Sequence, residues 1–585
     1  MARLLSSSLV ILSFLALSLA PLAADTLSVD TGLDGQDVQA GWVGISGPTS
    51  VSPPDTVSGV FSSTMGSSGS VTVQIRTVQG FRDRGNVTHQ IGDVVEDMVF
   101  NNSQLGMGLL GLKPGTYYFR SYHHDSVDQG PIDVKMTDAA VSSKVMYENV
   151  PQSFTPSSGP VQARAIPLIV QVGASGEASF SWTKKGNDTD NAVLSGFQVT
   201  DTPAADLKVD FGTTTSPILA GWERFGEADG AKLAENWYFT EIGNQGSVRV
   251  AVSTEGTLGF RNRSGVSTPD GPMLRDFVFY RGEGDLTLNS LLPGRYAVTT
   301  YHFDSDNPTT WKPISMSVSD ALGSGRALPD VQPNGGTSPT TVATASFEVY
   351  SDGVSPVVIH AASVSPSIAL YSGLQVIPLD TLRVDFGGDS SGNDVQHGFA
   401  PFNRPLNSNT SGLQSETYAT GLGAAGQVTV SLQAADNVLT WRDRGDVYNP
   451  DLGDVAEDFV FDDRWISMTL TDLRQGQYLM SAYFHDKGFN HGSVDVLVSD
   501  AAGVDRLVAL GVVMPDDDST PGTASFEFFS DGSNPVAFRF REHDSDSFVM
   551  LTGFAVSEIV PEPASLTLAA LALSGLGGYV RRRRR

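Results

Sequence analysis

Hydrophobic and polar positions alternate with a period of two along much of this chain. An aliphatic residue stands at every second position in SVTVQI (Ser70–Ile75), SVRVAV (Ser247–Val252) and QVTVSL (Gln427–Leu432). Successive side chains of a strand point to opposite faces, so the alternation predicts strands with one buried and one polar face. A second pattern is two apolar runs divided by a turn signal. MGLLGLKPGTYYFRSY (Met107–Tyr122) has Pro114-Gly115 at its centre, and the turn recurs as Pro293-Gly294 and, with glutamine for proline, as Gln475-Gly476. Proline presets φ for the second position of a type II turn and glycine accepts the third, so each copy predicts a hairpin. No convincing amphipathic helix interrupts these patterns.

The patterns repeat as a block. FRDRG (Phe81–Gly85), VEDMVF (Val95–Phe100) and YHHD (Tyr122–Asp125) return as FRNR (Phe260–Arg263), LRDFVF (Leu274–Phe279) and YHFD (Tyr301–Asp304). They return again as WRDRG (Trp441–Gly445), AEDFVF (Ala456–Phe461) and YFHD (Tyr483–Asp486). From Asp97 to Tyr122, Asp276 to Tyr301 and Asp458 to Tyr483 the step is 25 residues each time. Such constancy marks an internal repeat. Each copy opens alike (LSVDTG from Leu27, LKVDFG from Leu207, LRVDFG from Leu382) and closes alike (LSGFQV from Leu194, YSGLQV from Tyr371, LTGFAV from Leu551). A further shared strand precedes the close: ASFSW from Ala178, ASFEVYSDG from Ala345 and ASFEFFSDG from Ala524.

Opening aspartates Asp30, Asp210 and Asp385 are 180 and 175 residues apart. That is too long for an immunoglobulin-type sandwich of about 100 residues and fits a jelly roll of eight or more strands. The expectation is an all-β chain of three tandem jelly-roll-type β-sandwich domains at 25–200, 206–377 and 380–557, with short joints between them. Before them, Met1-Ala2-Arg3 and the apolar run Leu4–Leu22 predict a signal peptide over 1–24. After them, 558–585 holds Pro561-Glu562-Pro563, an apolar stretch Ala564–Val580 and five arginines, Arg581, Arg582, Arg583, Arg584 and Arg585. A stretch of seventeen residues is at the lower limit for a short transmembrane helix, whose arginine end would stay cytoplasmic.

Composition narrows the function classes. With 65 acidic and 37 basic residues the net charge is −28, a field that repels phosphate backbones and argues against nucleic acid. There is no cysteine, which removes disulfides, thiol catalysis and cysteine-based zinc sites. No Gly-x-Ser-x-Gly elbow and no P-loop is present, and the carboxylates of the repeat keep no glycosidase-like setting, since Glu96 becomes Arg275 in the second copy. The chain is expected not to be an enzyme.

The candidate chemistry lies in the repeated polar residues. Arg82 and Arg84 are two apart and share a strand face, with Asp97 the natural partner; Asp276 stands likewise to Arg261 or Arg263, and Asp458 to Arg442 or Arg444. An ion pair between strands is one reading, and a fork for a carboxylate or vicinal diol is the other. Tyr122, His123, His124 and Asp125 end an apolar strand, as do Tyr301, His302 and Asp304, and Tyr483, His485 and Asp486, so each group is expected at a sheet rim. Copies two and three keep one histidine each, too few for zinc, whereas Asp125 and its equivalents could join loop carbonyls around a structural calcium. A rim of aromatic, imidazole and carboxylate groups also suits a sugar. Two readings stay open: non-catalytic modules that bind extracellular polysaccharide, or spacers of an extracellular matrix. Burial of the tyrosines and aspartates favours the spacer.

The opening VDFG, the L-x-P-G-x-Y element and the closing G-F-x-V resemble secreted galactose-binding-like or malectin-like β-sandwich modules. Pro-Glu-Pro, a short apolar span and terminal arginines together resemble the PEP-CTERM sorting signal of Gram-negative bacteria. That resemblance implies an exported protein of the cell surface or matrix. It would be anchored transiently in the inner membrane, processed by an exosortase and associated with exopolysaccharide.

Overall fold

The computed structural model describes residues 26–559 except 51–54, 85–93, 95, 141–142, 155–163, 186–189, 214–215, 227–229, 264–265, 267–270, 307–310, 336–341, 364–366, 387–394, 406, 445–446, 448–451, 490, 518–519 and 544–547. The expected signal peptide lies outside the described residues, as does the sorting tail beyond Ile559. Among the described residues no helix is long and apolar enough to cross a membrane.

The fold is all-β: three β-sandwiches in tandem, called units 1, 2 and 3. In each, the opening strand (Thr26–Leu33, Leu207–Gly212, Thr381–Asp385) pairs antiparallel with the closing strand (Gly196–Thr200, Gly373–Pro378, Gly553–Ile559). The two end motifs of the repeat are therefore partners, and each unit is sewn shut where its chain enters and leaves. Opposite the buried Asp30, Asp210 and Asp385 stand Gly196, Gly373 and Gly553. The closing strand also pairs with a long strand (Gly115–Asp125, Gly294–His302, Gly476–Phe484) that leads into the Tyr-His-Asp group. A second sheet faces this one and contains the alternating strands Ser70–Val78, Ser247–Thr254 and Gln427–Ala434.

Those strands bury alternate residues as their pattern predicts. Val71, Val73 and Ile75 pack into one core with Tyr117 and Phe119 of the opposite sheet. Val248, Val250 and Val252 meet Tyr296 and Val298, and Val428, Val430 and Leu432 meet Tyr478 and Met480. Removing these side chains from water on both sheets is what holds each sandwich together.

Two local expectations fail. The Pro-Gly element is not a hairpin. Gln104–Leu110 pairs with Ser70–Val78 and Glu177–Lys184, whereas Gly115–Asp125 pairs with Arg164–Val172 and Gly196–Thr200. The chain thus crosses from one sheet to the other at Lys113-Pro114. The left-handed residue comes earlier, at Gly111 (φ 80), Ser290 (φ 61) and Asp472 (φ 67). A tyrosine pins each corner: Tyr117 Oη donates to Lys113 O at 2.9 Å, Tyr296 to Leu292 O at 2.6 Å and Tyr478 to Arg474 O at 2.8 Å. A tyrosine hydroxyl bonded a few residues back along its own chain is a recurrent device of sandwich corners. Turn chemistry alone could not separate corner from hairpin, because both break the ladder in the same way.

The shared strand before the close also divides. Ala345 and Ala524 lie on Ala343–Ser351 and Gly522–Ser530, which pair with the long strand; in unit 1 that place belongs to Arg164–Val172. Ala178 lies instead on Glu177–Lys184, in the opposite sheet. An alternation of small and aromatic residues fits either sheet, and only long-range pairing decides between them.

The units touch one another through specific contacts. Tyr483 Oη of unit 3 donates to Asp352 O of unit 2 at 2.8 Å. Lys144 Nζ of unit 1 pairs with Glu457 Oε1 of unit 3 at 2.9 Å, and the Arg120 guanidinium of unit 1 lies 4.3 Å over the Phe239 ring of unit 2.

Candidate functional site

The three repeated motifs converge on one arrangement in every unit. Gly80–Asp83 pairs antiparallel with Asp97–Asn101, Gly259–Asn262 with Asp276–Tyr280, and Val438–Asp443 with Asp458–Asp462. This register sets Arg82 opposite Met98, Arg261 opposite Phe277 and Arg442 opposite Phe459. Asp97 falls opposite Asp83 and Asp458 opposite Asp443, so the arginines do not take Asp97, Asp276 and Asp458 as their expected partners. The second arginine lies beyond the strand and reaches the aspartate that ends the third motif. Arg84 Nε is 2.7 Å from Asp125 Oδ1, Arg263 Nε is 3.4 Å from Asp304 Oδ1, and Arg444 Nε is 2.7 Å from Asp486 Oδ1. The first arginine lies over the last phenylalanine of the second motif, Arg82 on Phe100 at 3.8 Å, Arg261 on Phe279 at 4.8 Å and Arg442 on Phe461 at 5.4 Å. The first arginine stacks its cation on a ring, in unit 1 with Nη1 also 3.9 Å from Asp125 Oδ2, while the second forms the closer ion pair in every unit.

A different third group completes each clasp. Gln129 Nε2 donates to Asp125 Oδ2 at 2.6 Å, Trp311 Nε1 to Asp304 Oδ2 at 3.3 Å, and His491 Nε2 lies 2.7 Å from Asp486 Oδ2. The side chains of Asp125, Asp304 and Asp486 are fully buried. The carboxylates expected to face a sugar or a calcium ion are thus turned inward onto a guanidinium, which already supplies the counter-charge a cation would bring.

The histidines and two of the three tyrosines are enclosed as well. His123 Nδ1 faces Val193 O at 2.5 Å and its Nε2 meets Ser121 Oγ at 2.8 Å. His302 repeats this with Leu370 O at 2.7 Å and Thr300 Oγ1 at 2.8 Å. His485, one position further along, faces Ala456 O at 3.0 Å and Asp517 O at 2.8 Å. Burial pushes the imidazoles of His123, His124 and His302 down to about 4, so they are neutral hydrogen-bonding struts at neutral pH. Among the tyrosines, Tyr122 donates to Gln198 Oε1 at 2.8 Å and packs with Trp42 and, across the unit boundary, Trp237. Tyr483 is buried against Phe399 and unit 2 residues Leu292 and Val354, and Tyr301 is half-buried beside Trp222, ring centroids 5.5 Å apart.

The repeated residues therefore come together as a scaffold, with Tyr122 and Tyr483 at its outer edge in contact with neighbouring units. Sequence reasoning missed the corner tyrosines Tyr117, Tyr296 and Tyr478, although their fixed place after the turn glycine was a signal. It also missed an exposed aromatic group in unit 3. Phe489 is 53% and Phe548 40% exposed, and the His491 ring lies between them at centroid distances of 5.9 and 5.4 Å. Arg444 lies 4.4 Å over Phe489. Elsewhere, a cavity of about 590 Å³ opens where the three units meet, lined by Tyr118, Lys144, Gln245, Gln396 and His397 among others. None of the Tyr-His-Asp groups lines it.

No protein-family model and no curated protein sequence matches the chain. Among solved structures it is similar to the plant receptor-like kinase FER, at 10% identity and a TM-score of 0.29 over 60% of this chain and 95% of that one. It is also similar to the ANX1 ectodomain from Arabidopsis thaliana, at 11% identity and a TM-score of 0.20 over 62% of this chain and all of the other. Likeness at this level assigns no ligand, partner or activity to this chain.

Proposed function

We propose that the chain is an exported, non-catalytic structural protein of the bacterial cell surface or extracellular matrix, in which three β-sandwiches serve as a spacer. The observation that carries this reading is the fate of the repeated polar residues. Asp125, Asp304 and Asp486 are each buried on an arginine, and Tyr122 and Tyr483 pack against a neighbouring unit. Groups used up in holding sandwiches shut and units together are what a spacer needs. The tail motif Pro561-Glu562-Pro563 with Arg581–Arg585 supplies the address, and with it an exosortase as the processing partner. Replacing Pro561, Glu562 and Pro563 by alanine is expected to leave export intact and block processing; unaltered maturation would remove the sorting reading.

A second reading is favoured by Phe489 and Phe548. Exposed rings beside His491 and Arg444 offer faces for the apolar side of a sugar and donors for its hydroxyls, which suits weak binding of exopolysaccharide by unit 3. A pull-down of the exported chain on neutral and acidic polysaccharides separates the two. The spacer predicts no retention. Retention that disappears in a folded Phe489→Ala/Phe548→Ala variant would replace it with the binding reading.

A further inference from the structure

In unit 2 the opening strand carries Asp210 near its end, and the strand Asp276–Tyr280 begins with a second carboxylate beside it. Both are buried, Asp210 at 3% and Asp276 at 0% exposure, and the charge of one acts directly on the other. Ser216 returns to the same place from the segment after the opening strand. A β-carbon on Gly212 would stand 2.8 Å from Asp276 Cβ and 2.9 Å from Ser216 Oγ, so glycine is what lets the three groups converge.

The partners of these groups are unequal. Asp210 Oδ2 accepts the Leu219 amide at 2.8 Å. Ser216 Oγ accepts the Thr213 amide at 3.0 Å and lies 2.9 Å from Thr213 Oγ1. Neither oxygen of Asp276 receives a well-directed hydrogen bond among the described residues; the Ser216 hydroxyl is the one side-chain donor that acts on it. Two guanidinium groups are near: Arg224 donates through Nη2 to Ser216 O at 2.7 Å, and Arg275 precedes Asp276 in the chain. Both charges are felt at Asp276 and favour its ionised form, yet no close ion pair joins either to it among the described residues. A buried carboxylate so sparsely hydrogen-bonded is costly, and a second one alongside raises the cost. Such a pair needs a counter-charge that accepts several oxygens at once.

We propose that Asp210, Asp276 and the Ser216 hydroxyl hold one hard divalent cation, calcium, in unit 2. Calcium takes six to eight oxygen ligands in flexible geometry, so two carboxylates and a hydroxyl form a partial shell that water completes. The site differs from the Tyr-His-Asp group, whose carboxylate is already on an arginine. Units 1 and 3 keep the carboxylates as Asp30 with Asp97 and Asp385 with Asp458, but all four are engaged by further interactions, and Gln36 stands in unit 1 where Ser216 stands in unit 2. The expected stoichiometry is therefore one.

The test is titration of the exported chain, stripped with chelator, with calcium chloride alone, followed by calorimetry and by thermal unfolding. One calcium ion per chain is expected, with a rise in the unfolding midpoint of several degrees. Asp276→Asn and Asp210→Asn should each abolish binding and the rise. Asp276→Asn should also be at least as stable as the stripped parent, because it removes a buried charge; that separates loss of the site from loss of the fold. No calcium binding by the parent, or binding and a midpoint shift unchanged in both variants, overturns the proposal. So does a carboxyl pair that only shares a proton, recognised by stability indifferent to calcium.

Discussion

The guanidinium of Arg444 holds the buried carboxylate of Asp486 at two points, Nε to Oδ1 at 2.7 Å and Nη2 to Oδ2 at 3.1 Å. The two residues are 42 positions apart, and the same pair, Arg84 with Asp125, recurs in unit 1 at a separation of 41. It ties the end of one short strand to the end of the long central strand, across the rim of the sandwich. A buried pair of this kind contributes little against well-packed apolar residues, yet losing one partner strands the other charge.

Arg444→Met should accordingly destabilise unit 3 by about 3–5 kcal/mol, since Asp486 is left buried with His491 as its remaining side-chain partner among the described residues. Arg444→Met with Asp486→Leu should recover much of that loss. Urea denaturation of parent, single and double variants measures both effects; a single variant within error of the parent would show that the pair holds nothing.

The corner tyrosines allow a smaller and cleaner test. Tyr478→Phe keeps the ring in the core and removes only the bond to Arg474 O at 2.8 Å. The expected cost is about 0.5–1.5 kcal/mol. Tyr117→Phe and Tyr296→Phe should behave alike in their own units, and equal losses in all three would identify one device used three times.

Contacts between units should appear as cooperativity. Lys144 reaches both Glu457 (2.9 Å) and Asp454 (3.3 Å), and burial pushes the Glu457 carboxyl well above its ordinary range. Lys144→Met should leave Glu457 protonated rather than charged, and Tyr483→Phe should remove the bond to Asp352 O. Calorimetry of the double variant is expected to resolve transitions that merge in the parent. A single transition of unchanged width would count against coupling through these residues.

Acid sensitivity follows from the enclosed imidazoles. His302 titrates at about 4 in the fold because of burial, against about 6.5 in an unfolded chain. The unfolded state therefore takes up its proton first, so the contribution of this group is complete above pH 6.5 and declines as pH falls towards 4. The slope is at most about 1.4 kcal/mol per pH unit for one histidine. His302→Gln, which can keep a bond to Leu370 O, should flatten the loss of stability between pH 6.5 and 4. An identical pH profile for variant and parent would exclude His302 as its source.

Much of the architecture was legible in the chain because it rests on short-range periodicity. Val71, Val73 and Ile75 alternate, and a period of two on a half-buried face leaves a strand little alternative. Repetition did the rest: a constant step from Asp97 to Tyr122 and from Asp458 to Tyr483 announced three units, and the shared ends at Asp30 and Gly196 marked where each begins and closes. What periodicity could not carry was the identity of partners. Asp97 is near Arg82 in sequence and on the adjoining strand, yet register sets Asp83 opposite it.

By itself, then, the sequence determined strands, units and the residues that matter, since spacing and side-chain alternation are properties of a single stretch of chain. Only the tertiary structure decided that Arg84 belongs to Asp125, that the Lys113-Pro114 corner joins two sheets, and that Tyr122 and Tyr483 face other units. These depend on which distant strands pair and on what lies over a rim once they have. A rim residue with a ring, an imidazole or a carboxylate has the same letters whether water or another unit covers it. Burial at that rim sets Asp125, Asp304 and Asp486 on arginines, which no single stretch of chain could announce.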